Sequence, residues 1–303
     1  MHHVPVMVEE VLRYLVSEDS RLILDGTVSC GGHARAILES HPHLKLIGID
    51  RDGDAIRVAE RILESYAPRV RFFRGNYTDT PRFLGEKEML DGVLLDLGLS
   101  SFQLDDPSRG FSYLHDGSLD MRMSKEGITA KLLVEKTSET ELTRIIRQYG
   151  EVTGARKIAR AIKNASELGE MESTFDLKRA VETALGTKTT PAVLSKVFQA
   201  IRVALNKELD NVESFLGSVL GHMNSGGRLV VISYHSLEDR LVKGFFKKQS
   251  TSCVCPPEVP VCVCGHRATL EVLTRRVVKP SAAEVSQNPR ARSARLRAAK
   301  VIN

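Results

Sequence analysis

Leu22-Ile23-Leu24-Asp25-Gly26-Thr27-Val28-Ser29-Cys30-Gly31-Gly32-His33 decides the fold. A short apolar run ends in an acid, a glycine-bearing turn follows, and the next residues read as a helix. The following apolar run, Leu46-Ile47-Gly48-Ile49-Asp50, also ends in an acid. Strand, turn, helix and strand in this order form the first βαβ unit of a Rossmann-like α/β sheet. Ligands of such sheets lie over the carboxyl ends of the strands. An acid closing the second strand can accept hydrogen bonds from both hydroxyls of a ribose.

The glycines do not follow the G-x-G-x-x-G pattern that brings bare backbone N–H groups against a pyrophosphate. They stand at Gly26, Gly31 and Gly32, while Asp25, Asp50 and Asp96 surround the same sheet edge. An acidic cleft repels phosphate and suits an adenosine ribose with a sulfonium cation. The expected cofactor is therefore S-adenosylmethionine. An ordinary tight turn between strand and helix is the competing reading of the glycines alone.

Outward from this unit, the spacing of Ile56, Ala59, Ile62 and Leu63 predicts a helix from Asp52 to Ala67, stopped by Pro68. Val70-Arg71-Phe72-Phe73 reads as a third strand. Asp91-Gly92-Val93-Leu94-Leu95-Asp96 reads as a fourth, apolar enough to be buried on both faces. The alternation then breaks, and from Leu104 to Ala200 the periods are helical. Sheet character resumes at Gly226-Gly227-Arg228-Leu229-Val230-Val231-Ile232-Ser233. The expected organisation is a methyltransferase-type domain in two pieces, residues 1–103 and 201–303, around an inserted helical domain at 104–200. Ser236-Leu237-Glu238-Asp239 has the form of a capping box opening a helix, which leaves Tyr234 and His235 on the loop at the strand's carboxyl end. Thr269 to Val278 supplies late strand material.

At 303 residues, 42% hydrophobic and 27% charged, the composition is that of a soluble globular protein. Met1-His2-His3-Val4-Pro5 does not open a signal peptide, and every apolar run is too short to span a bilayer, so a cytoplasmic protein without membrane contact is expected. The net charge of +5 is unevenly spread. Pro289 to Asn303 carries Arg290, Arg292, Arg295, Arg297 and Lys300 with no acid. Thr143 to Asn164 carries Arg144, Arg147, Arg156, Lys157, Arg160 and Lys163 against Glu151. Such stretches are footprints for a phosphate backbone, or else a solvated helix face and a solubilising tail. Cys253-Val254-Cys255 and Cys262-Val263-Cys264, with His266 beyond, suggest either thiolate binding of a structural zinc or a cysteine-bearing loop with Pro256, Pro257 and Pro260.

Taken together, several stretches resemble the bacterial ribosomal small-subunit RNA methyltransferase H family, also called MraW. They are Asp25-Gly26-Thr27, Gly31-Gly32-His33, Gly48-Ile49-Asp50-Arg51-Asp52 and Asp91 through Ser101. Further along stand Gln103-Leu104-Asp105, Arg109-Gly110-Phe111-Ser112, Leu119-Asp120-Met121-Arg122-Met123 and Phe198-Gln199-Ala200-Ile201-Arg202. Ile232 through Arg240, Asn288 through Ser293 and His3-Val4-Pro5-Val6 complete the set, in order along nearly the whole chain. The resemblance implies methylation of a cytosine N4 in 16S rRNA of the small ribosomal subunit, near the P site. It implies cofactor contacts at Gly31, Gly32, His33, Asp50, Tyr77, Asp96 and Gln103, and an inserted helical domain. The chain departs from the family at Ser29, where glycine is usual, and at Tyr77, where phenylalanine is. Lys196-Val197 replaces an arginine-threonine pair, and the cysteine pairs are not general to the family.

Transfer of methyl from a sulfonium is an in-line displacement, governed by positioning. Cytosine N4 is a poor nucleophile until acceptors hold its hydrogens and turn its lone pair outward. Asp96-Leu97-Gly98-Leu99 stands where amino-directed DNA methyltransferases often carry an Asp/Asn-Pro-Pro-aromatic motif. Asp96 with nearby carbonyls is expected to shape the reacting corner, and His235 to face the base and take or relay a proton. Arg109, Asp120 and Arg122 either hold RNA or tie the domains together. The oligomeric state is open. Methylation of another nucleic-acid amino group, or a non-catalytic role in ribosome assembly, are the rival functions.

Overall fold

The computed structural model describes residues 5–256, 258 and 261–302, apart from the side chain of Ser101. His3 and Val4, and Pro257 and Pro260 of the cysteine loop, lie outside the described residues. Seven strands, β1 (Leu22–Asp25), β2 (Lys45–Asp50), β3 (Val70–Arg74), β4 (Leu90–Asp96), β5 (Met223–Ser233), β6 (Leu270–Val272) and β7 (Arg295–Val301), form one sheet in the order β3-β2-β1-β4-β5-β7-β6. β1 to β5 pair in parallel, and β7 runs antiparallel between β5 and β6. All four residues of β1 are buried, as is most of β4, because helices cover both faces of a parallel sheet. One core packs Leu24, Ile47, Leu95, Phe215 and Val231 on one face, and a second packs Ile23, Leu46, Leu94, Val230 and Leu296 on the other. The strand order reverses between β1 and β4, which sets a ligand crevice at their carboxyl ends.

The chain divides into two compact units. The sheet unit takes the residues up to Gly98 and those from Leu209, and the second unit is Leu99–Glu208. The helical segment read from sequence as 104–200 thus runs longer at both ends, because the helix Pro191–Asn206 continues its own pattern past Ala200. Among the described residues, no helix is long and apolar enough to cross a membrane.

Three local expectations are corrected. The helix after β2 ends at Ile62, and Glu64–Arg69 is a 3-10 turn that admits Pro68. The cap of the helix Ser236–Gln249 is His235, one residue earlier than expected. Its imidazole accepts from the Glu238 N–H while the Glu238 carboxylate reaches back to the cap backbone. Within the basic C-terminal stretch, Pro289–Ser293 is a 3-10 turn and Arg295–Val301 a strand, with Leu296, Ala298, Ala299 and Val301 buried. Arg297 donates to Asp239 Oδ1 at 2.6 Å, and Arg295 lies 3.5 Å from the same carboxylate. A truncation there would remove an internal strand of the sheet.

Inside the helical unit, helices Ala130–Lys136, Glu139–Gly150, Ala155–Glu167, Thr174–Leu185 and Pro191–Asn206 bury Ile146, Ile158, Ile162, Leu177, Phe198 and Ile201. Val197 joins this core and Lys196 is exposed, so packing accounts for the apolar residue. Arg109 is buried, donating to the carbonyls of Arg122 and Met123 at 2.9 and 3.0 Å. Arg122 grips Asp120 through two bonds of 2.9 and 2.7 Å. Burial works to raise the Asp120 pKa, but Arg122 outweighs it and holds the carboxyl below its usual range. These residues brace a loop of their own unit. Asn206 completes the brace, donating to Met121 O at 2.8 Å and accepting from Met123 N–H at 2.9 Å.

Asn206→Ala leaves both backbone groups without that partner where water is scarce. Urea denaturation is expected to show a loss of about 3 kcal/mol. A change under about 0.5 kcal/mol would mean that the brace contributes nothing.

Candidate active site

Three acids meet at the carboxyl ends of β1, β2 and β4. Asp25 is almost wholly buried, 1% exposed, and accepts from the Thr27 N–H at 3.2 Å. After it the chain must turn at once. Gly26 donates to Leu94 O at 2.9 Å, and a Cβ at Gly26 would come within 2.6 Å of Leu95 Cδ2. Thr27 Oγ1 then accepts the Asp96 N–H at 2.7 Å, tying the turn to β4. Ser29 has φ +48°, so serine adopts the left-handed conformation that glycine takes without strain. Its N–H donates to Asp50 Oδ2 at 2.8 Å, and the Asp52 N–H donates to Asp50 Oδ1 at 2.8 Å. The Asp50 carboxylate is thereby clamped in one plane, each oxygen keeping lone-pair capacity for a further donor.

Gly31 caps the helix Gly32–Ser40 with φ +85° and no side-chain cap bond, so the first helical N–H groups receive no side-chain acceptor. A Cβ on Gly32 would meet Pro5 at 3.1 Å, and the small residue thus lets the N-terminal segment pack close. His33 is buried on this helix, its Nε2 2.8 Å from Val6 O. A carbonyl only accepts, so Nε2 is the donor in that bond, and Nδ1 lies 3.7 Å from Asp96 Oδ2. Tyr77 is buried at the start of a 3-10 turn, its ring packed edge-on to Phe215 with centroids 5.3 Å apart.

Asp96 ends β4 and accepts from the Tyr234 hydroxyl at 2.9 Å. Tyr234, at the end of β5, is a partner that the sequence reading placed at this strand end without a role. The available signal was an aromatic residue directly after a buried strand. Burial first, then the Asp96 charge, push the phenol pKa far up, so Tyr234 stays a donor. His235 is differently engaged. Its Nδ1 takes the Glu238 N–H at 3.4 Å, and its Nε2 lies 3.2 Å from Glu238 Oε1. Gln103 belongs to the helical unit, where it closes a capping box with Ser100.

The structure therefore brings Asp25, Asp50, His33 and Asp96 to one strand-end site, with Gly31 and Gly32 opening its helix. This donor set fits S-adenosylmethionine. The clamped Asp50 suits ribose hydroxyls, the uncapped helix start suits a carboxylate, and the carboxylates suit a cationic sulfonium and ammonium. It does not fit a pyrophosphate, which the same carboxylates repel.

Residues 1–302 match the model of the MraW methylase family. A relative from Solidesulfovibrio magneticus is 46% identical, covering 98% of this chain and 95% of its own. One from Geobacter sulfurreducens is 46% identical over 99% of both chains, and one from Finegoldia magna 40% identical over 99% and 98%. All three are named ribosomal RNA small subunit methyltransferase H. A match running from the first turn to the last strand, over every strand-end acid described above, means that the chain belongs to the MraW methylase family of S-adenosylmethionine-dependent methyltransferases.

Proposed function

We propose that the protein methylates the exocyclic N4 of a cytosine in 16S rRNA of the small ribosomal subunit, in the cytoplasm. The observation that carries this reading is the convergence of Asp25, Asp50 and Asp96, in a chain whose relatives bear the name of small-subunit rRNA methyltransferases. The bound cofactor supplies an electrophilic methyl group on a sulfonium sulfur. Asp50 receives the ribose hydroxyls, and the helix start at Gly31 and Gly32 receives the carboxylate. Asp96, oriented by Tyr234, accepts a hydrogen of N4 and helps to turn the nitrogen lone pair toward the methyl carbon. His235, whose Nδ1 accepts the Glu238 N–H, acts as a helix cap that positions the end of β5.

A target base enters such a site only when unstacked. The exposed Arg147, Arg156, Lys157 and Arg160 of the helical unit are the cations offered to the surrounding phosphates. The test is transfer of labelled methyl to small subunits lacking the modification, followed by nucleoside mass spectrometry. N4-methylcytidine in 16S rRNA is the expected product. Label in DNA would favour another amino substrate, and no label with intact cofactor binding would favour an assembly factor. His235→Ala is expected to cost about 1 kcal/mol of stability through the lost cap while leaving methyl transfer by the folded enzyme within about threefold, a change of ~0.65 kcal/mol in barrier.

Asp50→Ala removes acceptors for two hydroxyls, each hydrogen bond to a charged group being worth about 1.5–3 kcal/mol. Calorimetry should show S-adenosylmethionine binding weakened by about 100-fold or more. Unaltered affinity would take the ribose away from Asp50.

The acids also set a pH dependence. Burial is the main cause that raises Asp25 from 3.8 to about 7, against the pull of His33 and the Thr27 N–H, with Asp96 and Asp50 adding repulsion. Burial likewise raises Asp50 to about 6, against the N–H groups of Asp52 and Ser29. A carboxyl whose folded pKa lies above its unfolded value stabilises fully below the unfolded pKa, and that contribution is lost as pH rises through the folded pKa. Without cofactor, Asp25 thus weakens the fold progressively between about pH 4 and 7. Asp25→Asn should raise the melting temperature at pH 8 and leave it nearly unchanged at pH 4. Equal shifts at both pH values would contradict the burial of a charge at this position.

A further inference from the structure

Four thiols converge in the connection between the helix Ser236–Gln249 and β6, away from the strand-end acids in sequence and in role. The Sγ atoms of Cys253, Cys255, Cys262 and Cys264 all lie within 4.8 Å of one another. Cys262 and Cys264 are 3.6 Å apart, and Cys264 and Cys253 3.9 Å, with no disulfide formed. Four sulfurs placed tetrahedrally at about 2.3 Å from a zinc ion are separated by about 3.8 Å. We propose that these four cysteines bind a structural zinc ion as a closed tetrathiolate.

Backbone donors already face the sulfurs. The Val254 N–H points to Cys264 Sγ at 3.5 Å and the Cys255 N–H to Cys253 Sγ at 3.4 Å, the kind of outer-shell bond that stabilises a metal thiolate. Among its described residues the connection has little apolar packing to hold it. Val254, Val261 and Val263 are 42%, 71% and 80% exposed. Its ends are pinned by Thr269 N–H to Gln249 O at 2.8 Å and by His266 Nε2, 2.9 Å from Lys248 O. The groups here whose ligand atoms lie within 4.8 Å of one another are the four thiols, without His266, which leaves the ligand set to sulfur. A metal here replaces the missing core, as in small domains that cannot bury enough apolar surface. Binding releases four protons from the thiols and leaves a dianionic centre, flanked in sequence by Lys247, Lys248 and Arg267. With all four positions taken by sulfur, the ion has no open site for a substrate.

The full-length protein, purified without added chelator, is expected to contain one zinc per chain by elemental mass spectrometry. A mercurial reagent titrating the thiols should release it to a zinc-sensitive dye. Exchange with cobalt should give the ligand-field and sulfur-to-metal bands of tetrahedral tetrathiolate coordination. Cys255→Ser and Cys264→Ser should each lower zinc content at least tenfold, with S-adenosylmethionine affinity unchanged as the check on folding. Should either variant misfold, the cobalt spectrum of the unaltered protein still decides. Metal-free protein after incubation with zinc, disulfides among these cysteines under non-reducing mass spectrometry, iron in place of zinc, or full zinc retention in both folded variants would each overturn the assignment.

Discussion

Burial of carboxylates gathered at the ends of parallel strands is the constraint from which the site follows. Burial raises the cost of ionising Asp25 and Asp50, and at Asp25 the charges of Asp96 and Asp50 add to it. Nothing in the packing of a sheet requires acids there, so their presence is a local loss of stability tied to the site. The chain offsets part of it with backbone N–H groups, two of which clamp Asp50. The remainder is offset by a ligand that brings positive charge. A cleft built this way is selective before any shape is considered, because a cation lowers the energy of every acid and a phosphate raises it.

The acids keep their places through bonds that each reach across to another element. The turn after β1 holds β4 through Thr27 and Asp96, and holds the end of β2 through Ser29 and Asp50. β5 reaches Asp96 through Tyr234, and β7 lies along β5 over six residue pairs from Arg228 to Ser233. The C-terminal strand therefore supports the strand end that carries Tyr234. Its arginines serve the same end, because Asp239 on the helix after β5 neutralises Arg297 and draws Arg295 close.

How far the sequence could be read depends on how local each cause is. The strand-end acids were legible because a parallel strand buried on both faces is a bare apolar run, and an acid at its end stands out. The left-handed turn at Ser29 was legible only as a departure from glycine, since φ leaves no mark on a serine. β7 was masked by its charge. Arg295, Leu296, Arg297 and Ala298 alternate with a period of two, but the partner acid Asp239 lies 56 and 58 residues earlier. The pair of Tyr234 and Asp96, 138 residues apart, has no local signature at all. His235 took the cap ahead of Ser236 because an imidazole nitrogen can accept the N3 N–H as a hydroxyl can, a choice that only the backbone entry angle makes.

Position also changes what the basic residues mean. Counted along the chain, the C-terminal stretch and the residues from Thr143 to Asn164 carry comparable charge, yet only the second is largely available to a polyanion. The window that began at Thr143 excluded Glu139 and Glu141, which now stand beside Arg156, Arg160 and Arg144. Of these pairs, Arg144 and Glu141 are well formed, at 2.6 Å. Arg156 and Arg160 lie 3.9 and 3.6 Å from Glu139 and are mostly exposed. An exposed pair of that kind is worth at most about 1 kcal/mol, whereas each phosphate neutralised releases condensed counterions from the nucleic acid. The balance favours exchange of Glu139 for a phosphate. The same exchange at Arg297 would break a mostly buried bond of 2.6 Å and leave Asp239 uncompensated, so Arg297 serves the sheet.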